Sequence, residues 1–258
     1  MAEAASPRDI VLLVDDSPDA LGFLTEALEQ SGFSVLIATT GQAALNIVER
    51  ITPDLILLDA VMPGMDGFSA CRKLKANPAV SQVPVIFMTG LTDTEHVVNA
   101  LDSGGVDYLT KPINIDELRA RIRVHLANAR SAQSARVALD AAGRHLLAVK
   151  GDGAIHWSTP QATRLVHAAT GSDNGLDQVA QEIAGWLRVR DVAGTPRDDA
   201  FTLSLKEDAL LKITYLGAIG TDEFLFRLSG SSQRAGADLL RQHFVLTLRE
   251  SEVLEWIA

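Results

Sequence analysis

The sequence lacks cysteine pairs, long apolar runs and an excess of basic residues. Cys71 is the only cysteine among 258 residues, so the chain has no disulfide framework and no thiolate metal cluster. No apolar run approaches the roughly 20 residues that span a bilayer, so we expect no membrane segment and no membrane partner. The single cysteine also favours a reducing, cytoplasmic setting.

Basic residues are outnumbered, and the imbalance lies in the first half of the chain. The sequence has 23 Lys and Arg against 33 Asp and Glu, a net charge of −10. Residues 1–125 carry 9 basic and 17 acidic residues, whereas residues 126–258 carry 14 and 16. Because phosphate contacts dominate nucleic-acid affinity, the acidic half is not expected to bind nucleic acid. It agrees instead with a site for a cation.

Strands alternate with helices five times in this half. The predicted strands share short runs of β-branched or leucine residues, and they lie at 10–14, 34–38, 55–59, 84–89 and 107–110. Segments with apolar residues at helical spacing follow the strands, and the first of these predicted helices begins at Ser17-Pro18. This alternation predicts an α/β fold with a doubly wound, five-stranded parallel sheet.

Polar side chains stand where the predicted strands end. They are Asp15 and Asp16, Asp59, Thr89 and Lys111. Carboxyl ends of parallel strands meet at one edge, where open α/β sheets place ligand sites. Crowded carboxylates repel one another, and Mg²⁺, which takes oxygen ligands, would relieve that repulsion. A carboxylate there can accept a phosphoryl group as a nucleophile, while Lys111 and Thr89 donate to the phosphoryl oxygens.

Residues 8–125 resemble the receiver domain of two-component response regulators. The matching elements are Asp15-Asp16, Asp59 within Leu-Leu-Asp-x-x-Met-Pro-Gly-Met-Asp-Gly, Thr89, and Tyr108-Leu109-Thr110-Lys111-Pro112. The resemblance implies that Asp59 is the phosphoacceptor. It also implies that a histidine kinase or a phosphotransfer protein is the partner.

The same resemblance assigns the remaining roles. Asp16, Asp59 and the backbone carbonyl of Val61 would ligate Mg²⁺ directly, and Asp15 would assist through water. Thr89 and Lys111 would act in catalysis. Thr89 and Tyr108 would form a switch pair, in which the hydroxyl turns toward the phosphate and the ring moves inward. The bond between Lys111 and Pro112 would be cis.

Each of these residues also has an ordinary structural interpretation. Asp15-Asp16 suits a turn that caps the next helix, Lys111 a solvated lysine, and Tyr108 a core aromatic. Their occurrence together and in order favours the site. A metal-dependent phosphohydrolase with a nucleophilic Asp remains an alternative. That class usually has an acid/base Asp two residues after the nucleophile, where this chain has Val61.

A single long helix is predicted from Ile115 to about Ala142, because no Pro or Gly occurs from Ile113 until Gly143. Leu118, Ile122 and Leu126 begin a stripe that continues into an Ala-rich face, a weak coiled-coil pattern. We expect a homodimer through this 115–142 helix and through the face of the fourth helix, fifth strand and fifth helix. A solvated linker is the alternative.

Residues 144–230 are predicted to form a separate α+β domain after a helical linker at 126–143, with residues 1–125 as the receiver. Two strands flank Gly151-Asp152-Gly153, two helices follow, and three alternating strands end the domain. This order resembles a PAS domain, a sensory or dimerisation module. No cofactor is expected there, since His145, His156 and His167 match no ligand spacing. Trp157 and Trp186 are expected in its core.

The last residues, 231–258, are interpreted as a linker, a helix and the start of a further domain. Leu246-Thr247-x-Arg249-Glu250-x-Glu252-Val253-Leu254 resembles the opening of a LuxR-type helix-turn-helix domain. We expect a truncated transcription regulator that does not read DNA by itself, because a recognition helix is missing. It would be no enzyme beyond its own phosphorylation and dephosphorylation. A receiver–PAS signalling protein without DNA output, or an amphipathic tail, is the alternative.

Overall fold

A computed structural model of the chain describes residues 8–90, 94–172, 174–193, 199–204, 209–219 and 222–232. The chain divides into two compact units, residues 1–134 and 135–258. Of the helices described, none combines the length and the apolarity that crossing a membrane requires. The predicted helix at 235–244 and the predicted helix-turn-helix start at 246–258 lie outside the described residues.

The first unit has the predicted alternation of strands and helices. Its elements are β1 (Ile10–Val14), α1 (Pro18–Gln30), β2 (Ser34–Ala38), α2 (Gly41–Val48), β3 (Leu55–Asp59), α3 (Gly67–Ala76), β4 (Val85–Thr89), α4 (Thr94–Asp102), β5 (Asp107–Thr110) and α5 (Ile115–Ala141). The last turns of α5 are counted with the second unit. The sheet is parallel in the order β2-β1-β3-β4-β5. The predicted doubly wound fold is therefore confirmed.

The central strands are apolar throughout because helices cover both faces of the sheet. On one face, Leu12 and Val14 pack with side chains of α2, α3 and α4. On the other face, Val11 and Leu13 pack with side chains of α1 and α5. Alternation along a strand sends neighbours to opposite faces, so β1 needs apolar residues at each position. This packing holds the carboxyl ends of β1 and β3 side by side.

Side chains at the helix starts fix where the loops above the sheet turn. Ser17 precedes Pro18 and accepts a hydrogen bond from the Ala20 N–H at 3.4 Å. Asp66 accepts one from the Ser69 N–H at 2.6 Å and begins α3. The hydrogen bonds from Ser69 and the charge of Arg72 outweigh burial and hold the pKa of Asp66 below its usual range. Such caps satisfy backbone donors that a helix leaves unpaired.

The second unit follows with an antiparallel sheet and two helices. Its elements are β6 (Leu146–Lys150), β7 (Ile155–Ser158), α6 (Pro160–Thr170), α7 (Gly175–Ala193), β8 (Ala200–Ser204), β9 (Ala209–Ala218) and β10 (Glu223–Ser232). The strand order is β7-β6-β10-β9-β8. The predicted antiparallel five-stranded sheet is confirmed. The linker predicted to begin at residue 231 is wrong for its first two residues, because β10 includes Ser231 and Ser232 and pairs with β9 as far as Ser232.

Four aromatic rings fill part of the core between the second sheet and its helices. Trp186 stacks on Phe201 at 5.6 Å and contacts Tyr215 and Phe226 at 5.6 and 5.9 Å between ring centroids. The core position predicted for Trp186 is thus confirmed. Trp157 differs, because its ring is not part of this core cluster and lies 4.9 Å from the guanidinium of Arg136.

The long helix α5 has the predicted length, but the apolar residues along it fall into two groups, one buried and one exposed. Leu118, Ile122 and Leu126 are buried in the core of the first unit, at 0%, 0% and 4% exposure. They cannot pair with another helix while that core is intact. Val137 and Leu139, near the end of the helix, are 48% and 37% exposed. These three side chains are therefore unavailable for pairing, whereas Val137 and Leu139 are accessible.

Candidate functional site

Three carboxylates converge at the carboxyl edge of the parallel sheet. Asp15 and Asp16 follow β1, Asp59 ends β3, and the two strands are neighbours. One oxygen from each side chain lies within 4.8 Å of the other two. Asp15 and Asp59 are buried, at 0% and 5% exposure, whereas Asp16 is exposed. Like charges at this spacing repel, so the cluster requires cations.

Lys111, which follows the edge strand β5, supplies one positive charge to this cluster. Its Nζ lies 2.9 Å from Asp15 Oδ2 and 3.0 Å from Asp59 Oδ1. Burial acts to lower the pKa of Lys111, but the hydrogen bonds to the two carboxylates outweigh it and the pKa is raised. The Lys111 N–H donates to the carbonyl of Thr89 at 2.8 Å, and the Lys111–Pro112 bond is cis, as expected.

Burial dominates the electrostatics of Asp59. Desolvation raises the pKa of its carboxyl, and the charge of Asp15 adds to that effect. Lys111 and a backbone hydrogen bond with Val61 act in the opposite direction, and the net pKa stays above its ordinary value. The charged carboxylate is therefore destabilised in this pocket. A bound cation would relieve that cost.

The spacing of the carboxylates suits a small oxygen-liganded ion. At Mg–O distances of about 2.1 Å, ligand oxygens lie about 3 to 4.2 Å apart around an octahedron. Both oxygens of Asp15 are already engaged, Oδ1 by the Ser17 N–H at 2.9 Å and Oδ2 by Lys111. Asp16 and Asp59 keep oxygens that can ligate. The donor set, which consists only of oxygen, fits Mg²⁺ rather than a thiophilic metal.

The remaining predicted residues lie on β4 and β5 next to this cluster. Thr89 ends β4, is 5% exposed, and is paired in register with Thr110. Tyr108 lies opposite Phe87, is half-buried, and packs against the core on that face of the sheet. Val61 follows β3 with its side chain 58% exposed. The structure thus brings the predicted strand-end residues to one edge.

Gly67 is a site residue that reasoning from the sequence missed. A Cβ there would lie 2.1 Å from the carbonyl oxygen of Asp59 and 2.9 Å from Ala60 Cα. Its N–H donates to the carbonyl of Ala60 at 3.0 Å. Only glycine lets α3 begin this close to the end of β3. The sequence offered the Asp66-Gly67 pair as a signal, but the signal indicates a turn and not a close approach.

The profile of the response regulator receiver domain family matches residues 11–123. These residues form a response regulator receiver domain. The match includes β1 and all the strand ends described above, so the acidic cluster belongs to the receiver domain. It does not extend into the second unit, which begins at residue 135.

Relatives of the receiver domain occur in proteins with different outputs. A probable cyclic di-GMP phosphodiesterase of Vibrio cholerae is 40% identical over 121 residues, 47% of this chain and 27% of that protein. The DNA-binding response regulator MtrA of Mycolicibacterium smegmatis is 43% identical over 119 residues, 46% of this chain and 51% of that protein. The matched stretch thus spans about a quarter to a half of these relatives.

Among solved structures, the receiver domain of a signal transduction histidine kinase from Syntrophus aciditrophicus is similar to this chain. Its identity is 35% and its TM-score is 0.44. The match covers 46% of this chain and 91% of that one.

Proposed function

We propose that this protein is a response regulator whose receiver domain is phosphorylated on Asp59. The observation that carries the proposal is the contact of Lys111 Nζ with both Asp15 and Asp59, beside the exposed carboxylate of Asp16. This places a fixed positive charge next to a buried nucleophile. Receiver-domain relatives that are named response regulators support it. The donor would be a histidine kinase or a phosphotransfer protein.

The reaction requires little covalent assistance from the protein. A carboxylate oxygen of Asp59 attacks phosphorus, the bond from phosphorus to the leaving group breaks, and the leaving group takes the electron pair. With acetyl phosphate as donor, acetate leaves. Lys111 and Thr89 would then donate to the phosphoryl oxygens, because phosphoryl transfer depends chiefly on positioning and charge stabilisation.

A Mg²⁺ ion held by Asp16, Asp59 and the backbone carbonyl of Val61 would neutralise charge on the carboxylates and on the incoming phosphoryl group. Asp15 would assist through a water molecule and would not bind the ion directly, since Ser17 and Lys111 already engage both its oxygens. Ser17 and Lys111 together orient Asp15. They leave the outer side of the cluster, where Asp16 is exposed, for the ion.

The new phosphoryl group would shift the population between two receiver states. It adds about −1.5 to −2 charge at Asp59, and the Thr89 hydroxyl would turn toward it. Tyr108, which is half-buried at present, would move inward as the switch partner. This would alter the face built from α4, β5 and α5, and with it the pairing of two chains. The exposed second half of α5 supports the homodimer.

The second unit would act as a PAS-like relay. Its two strands, two helices and three strands have the order on which that interpretation depends. The domains would be residues 1–125, a helical linker at 126–143, a PAS-like domain from residue 144 to the end of β10 at Ser232, and a linker with a helix-turn-helix start up to residue 258. The output would be control of transcription through such a domain. The motif at 246–258 supports this, as does the relative named a DNA-binding response regulator.

A signalling protein with a different output is the second candidate. The Vibrio cholerae relative, named a probable phosphodiesterase, favours it. A phosphohydrolase that uses Asp59 is less well supported, because the exposed apolar Val61 stands where the acid/base Asp of that class would be. In our proposal the chain catalyses only its own phosphorylation and dephosphorylation. With a histidine kinase or a phosphotransfer protein as its donor, it would act in the cytoplasm.

Labelling by acetyl phosphate tests the proposal. Wild-type protein with Mg²⁺ should gain one phosphoryl group by intact mass, and hydroxylamine should remove it. Asp59→Asn should gain none, because an amide cannot form the acyl phosphate. Asp19→Asn, an exposed carboxylate in the first turn of α1, is the matched control and should label like wild type. Hydroxylamine-sensitive label on the Asp59→Asn protein would sink the assignment.

A further inference from the structure

The second unit carries a basic pocket on the sheet face that is turned away from its core. Along β9, Leu211 and Ile213 are buried and Lys212 is exposed between them. Along β10, Phe226 and Leu228 are buried. Residues of a strand alternate between faces, so the intervening side chains point away from the core.

Four polar side chains form a block on this outer face. The register pairs Lys212 with Ser229 and Thr214 with Arg227 on adjacent antiparallel strands. Side chains directly opposite one another in such a pair lie about 4.5–5.5 Å apart at Cβ. Two cations and two hydroxyl groups are therefore held together by the backbone register. This arrangement follows from the sheet and does not depend on loops.

His145 and the loop before β6 extend the block into a pocket. The N–H of Leu228 donates to the carbonyl of His145 at 2.8 Å, so His145 lies beside β10. Asp140 lies 3.3 Å from His145 Nδ1 and fixes one side of the ring. The pocket lined by His145, the four-residue block and Leu165 has a volume of about 510 Å³. That is within the roughly 300–1,000 Å³ of small-ligand pockets.

The charge of the pocket opposes that of the protein. Its lining includes Lys212, Arg227 and His145 and, within the described part of the chain, no Asp or Glu. The structure shows no ion pair between Lys212 or Arg227 and any described carboxylate. The whole chain carries −10. A concave site of one sign concentrates ligands of the opposite sign.

We propose that this outer-face pocket binds the phosphate group of a small phosphorylated ligand. Arg227 supplies a planar fork that matches phosphate oxygens, Lys212 a point charge, and Thr214 and Ser229 hydroxyl donors. Leu165, which also lines the pocket, gives the rest of the ligand an apolar contact. The aromatic cluster of Trp186, Phe201, Tyr215 and Phe226 occupies part of the opposite, inner face. All residues of this pocket belong to the second unit, whereas Asp59 belongs to the first.

Pyrophosphate binding to the full chain tests the proposal. Calorimetric titration is done in EDTA at constant ionic strength, so that the acidic cluster holds no metal. Saturable binding is expected. The double variant Lys212→Gln/Arg227→Gln should bind about tenfold more weakly or worse, because two charge-assisted contacts are lost. Lys150→Gln removes an equally exposed charge from the end of β6 and should bind within about twofold of wild type.

A second experiment distinguishes the source of the phosphate. Phosphatidylcholine vesicles that contain phosphatidic acid present a phosphate monoester on a lipid surface. Pyrophosphate binding that depends on Lys212 and Arg227 assigns the pocket to a soluble ligand. Vesicle sedimentation with that dependence, but without pyrophosphate binding, assigns it to a lipid headgroup. If neither probe binds, or if the double variant binds both as wild type does, the proposal is wrong. Both changed residues are exposed, so the fold should survive.

Discussion

Lys111 Nζ lies 2.9 Å from Asp15 Oδ2, and this contact joins the residue after β5 to the residue after β1. In the sheet order β2-β1-β3-β4-β5, the lysine reaches past the ends of β4 and β3. Its ammonium therefore occupies the inner side of the acidic cluster. A divalent ion would occupy the outer side, next to the exposed Asp16. The two cations would share Asp59 and compete for its charge.

The variant Lys111→Met should separate ion binding from phosphorylation. Removing a positive charge near three carboxylates should tighten Mg²⁺ binding by at least about threefold, because the ions repel through a partly buried region. Labelling of Asp59 by acetyl phosphate should nevertheless fall, since the phosphoryl oxygens lose the charged donor that Lys111 provides. Calorimetric titration measures the affinity for Mg²⁺, and intact mass measures the labelling of Asp59.

Lys73→Met is the matched control for that experiment. Lys73 is exposed in the last turn of α3 and has no part in the site. Its loss should leave both Mg²⁺ affinity and labelling near wild type. If Lys111→Met bound Mg²⁺ more weakly than wild type, the lysine would be organising the carboxylates rather than competing for them.

Gly67→Ala should damage both stability and the site. The added Cβ would lie 2.1 Å from the Asp59 carbonyl, so α3 or the end of β3 must shift. Overpacking of this kind costs about 1–3 kcal/mol of unfolding free energy. Urea unfolding measures the loss, and slower labelling of Asp59 reports the displaced strand end.

Gly22→Ala is the matched substitution in the middle of α1. A Cβ there meets nothing within 4 Å, and Gly22 is exposed. It should stabilise the protein by roughly 0.5–1 kcal/mol, because alanine favours the helix and restricts the unfolded chain. Equal effects of the two substitutions would mean that Gly67 is not held by close approach.

The sequence predicted the acidic cluster because the alternation of strands and helices determines where each strand ends and which ends lie at the same edge of the sheet. Asp59 follows four apolar residues, and parallel strands bring such ends together whatever the side-chain packing is. The need for Gly67 was not visible, because it arises from how closely α3 approaches β3. Periodicity likewise identified the Leu118–Leu126 stripe but not its partner. The stripe is buried in the first unit, whereas a coiled coil would have the same spacing.

The N-terminus of α6 is a second feature that depends on tertiary contacts and could not be predicted from the local sequence. The Thr159-Pro160 pair predicts that Thr159 caps the helix, and Thr159 does hold the N-cap position. Its hydroxyl, however, accepts from the Leu146 N–H at 3.0 Å and makes no cap hydrogen bond. Pairing of β6 with β7 sets that contact. The cap comes instead from Asp140, whose oxygens accept from the Gln161 N–H. Asp140 is separated from Thr159 in the sequence by the β6–β7 hairpin, so sequence patterns around the start of α6 do not identify it.

Asp107→Asn should reveal a salt-bridge contribution that disappears in acid. Arg121 Nη1 lies 2.7 Å from both Asp107 oxygens, and His125 Nε2 lies 2.9 Å from Oδ2. Burial acts to raise the pKa of Asp107, but the hydrogen bonds from His125 and Arg121 together hold it below its ordinary value of 3.8. At neutral pH the variant should lose about 1–2 kcal/mol of unfolding free energy, since Asp107 is half-buried.

The sign of the pH dependence follows from that depressed pKa. Because the folded state binds the proton less readily than the unfolded state, the contribution is complete above about pH 5. It declines as the pH falls below about 4 and through the folded pKa. Urea unfolding of wild type and variant, from neutral pH down to pH 3, measures the difference in unfolding free energy. Asp102→Asn, an exposed carboxylate in α4, is the control. A difference that stayed constant down to pH 3 would contradict the assignment.

Asp140→Ala should loosen the start of α6 without affecting the receiver domain. Both Asp140 oxygens accept from the Gln161 N–H, at 3.2 and 3.0 Å, and Oδ1 lies 3.3 Å from His145 Nδ1. Burial acts to raise the pKa of Asp140, but hydrogen bonds with Thr159, Gln161 and His145 outweigh it, so the pKa is lowered and the carboxylate is charged at neutral pH. Without it, amide exchange in the first turn of α6 should accelerate at least about tenfold, while exchange in β1 and β3 stays unchanged. His145→Gln, which keeps the cap, should leave that turn protected. Equal acceleration in both variants would show that the histidine contact, and not the cap, holds the helix.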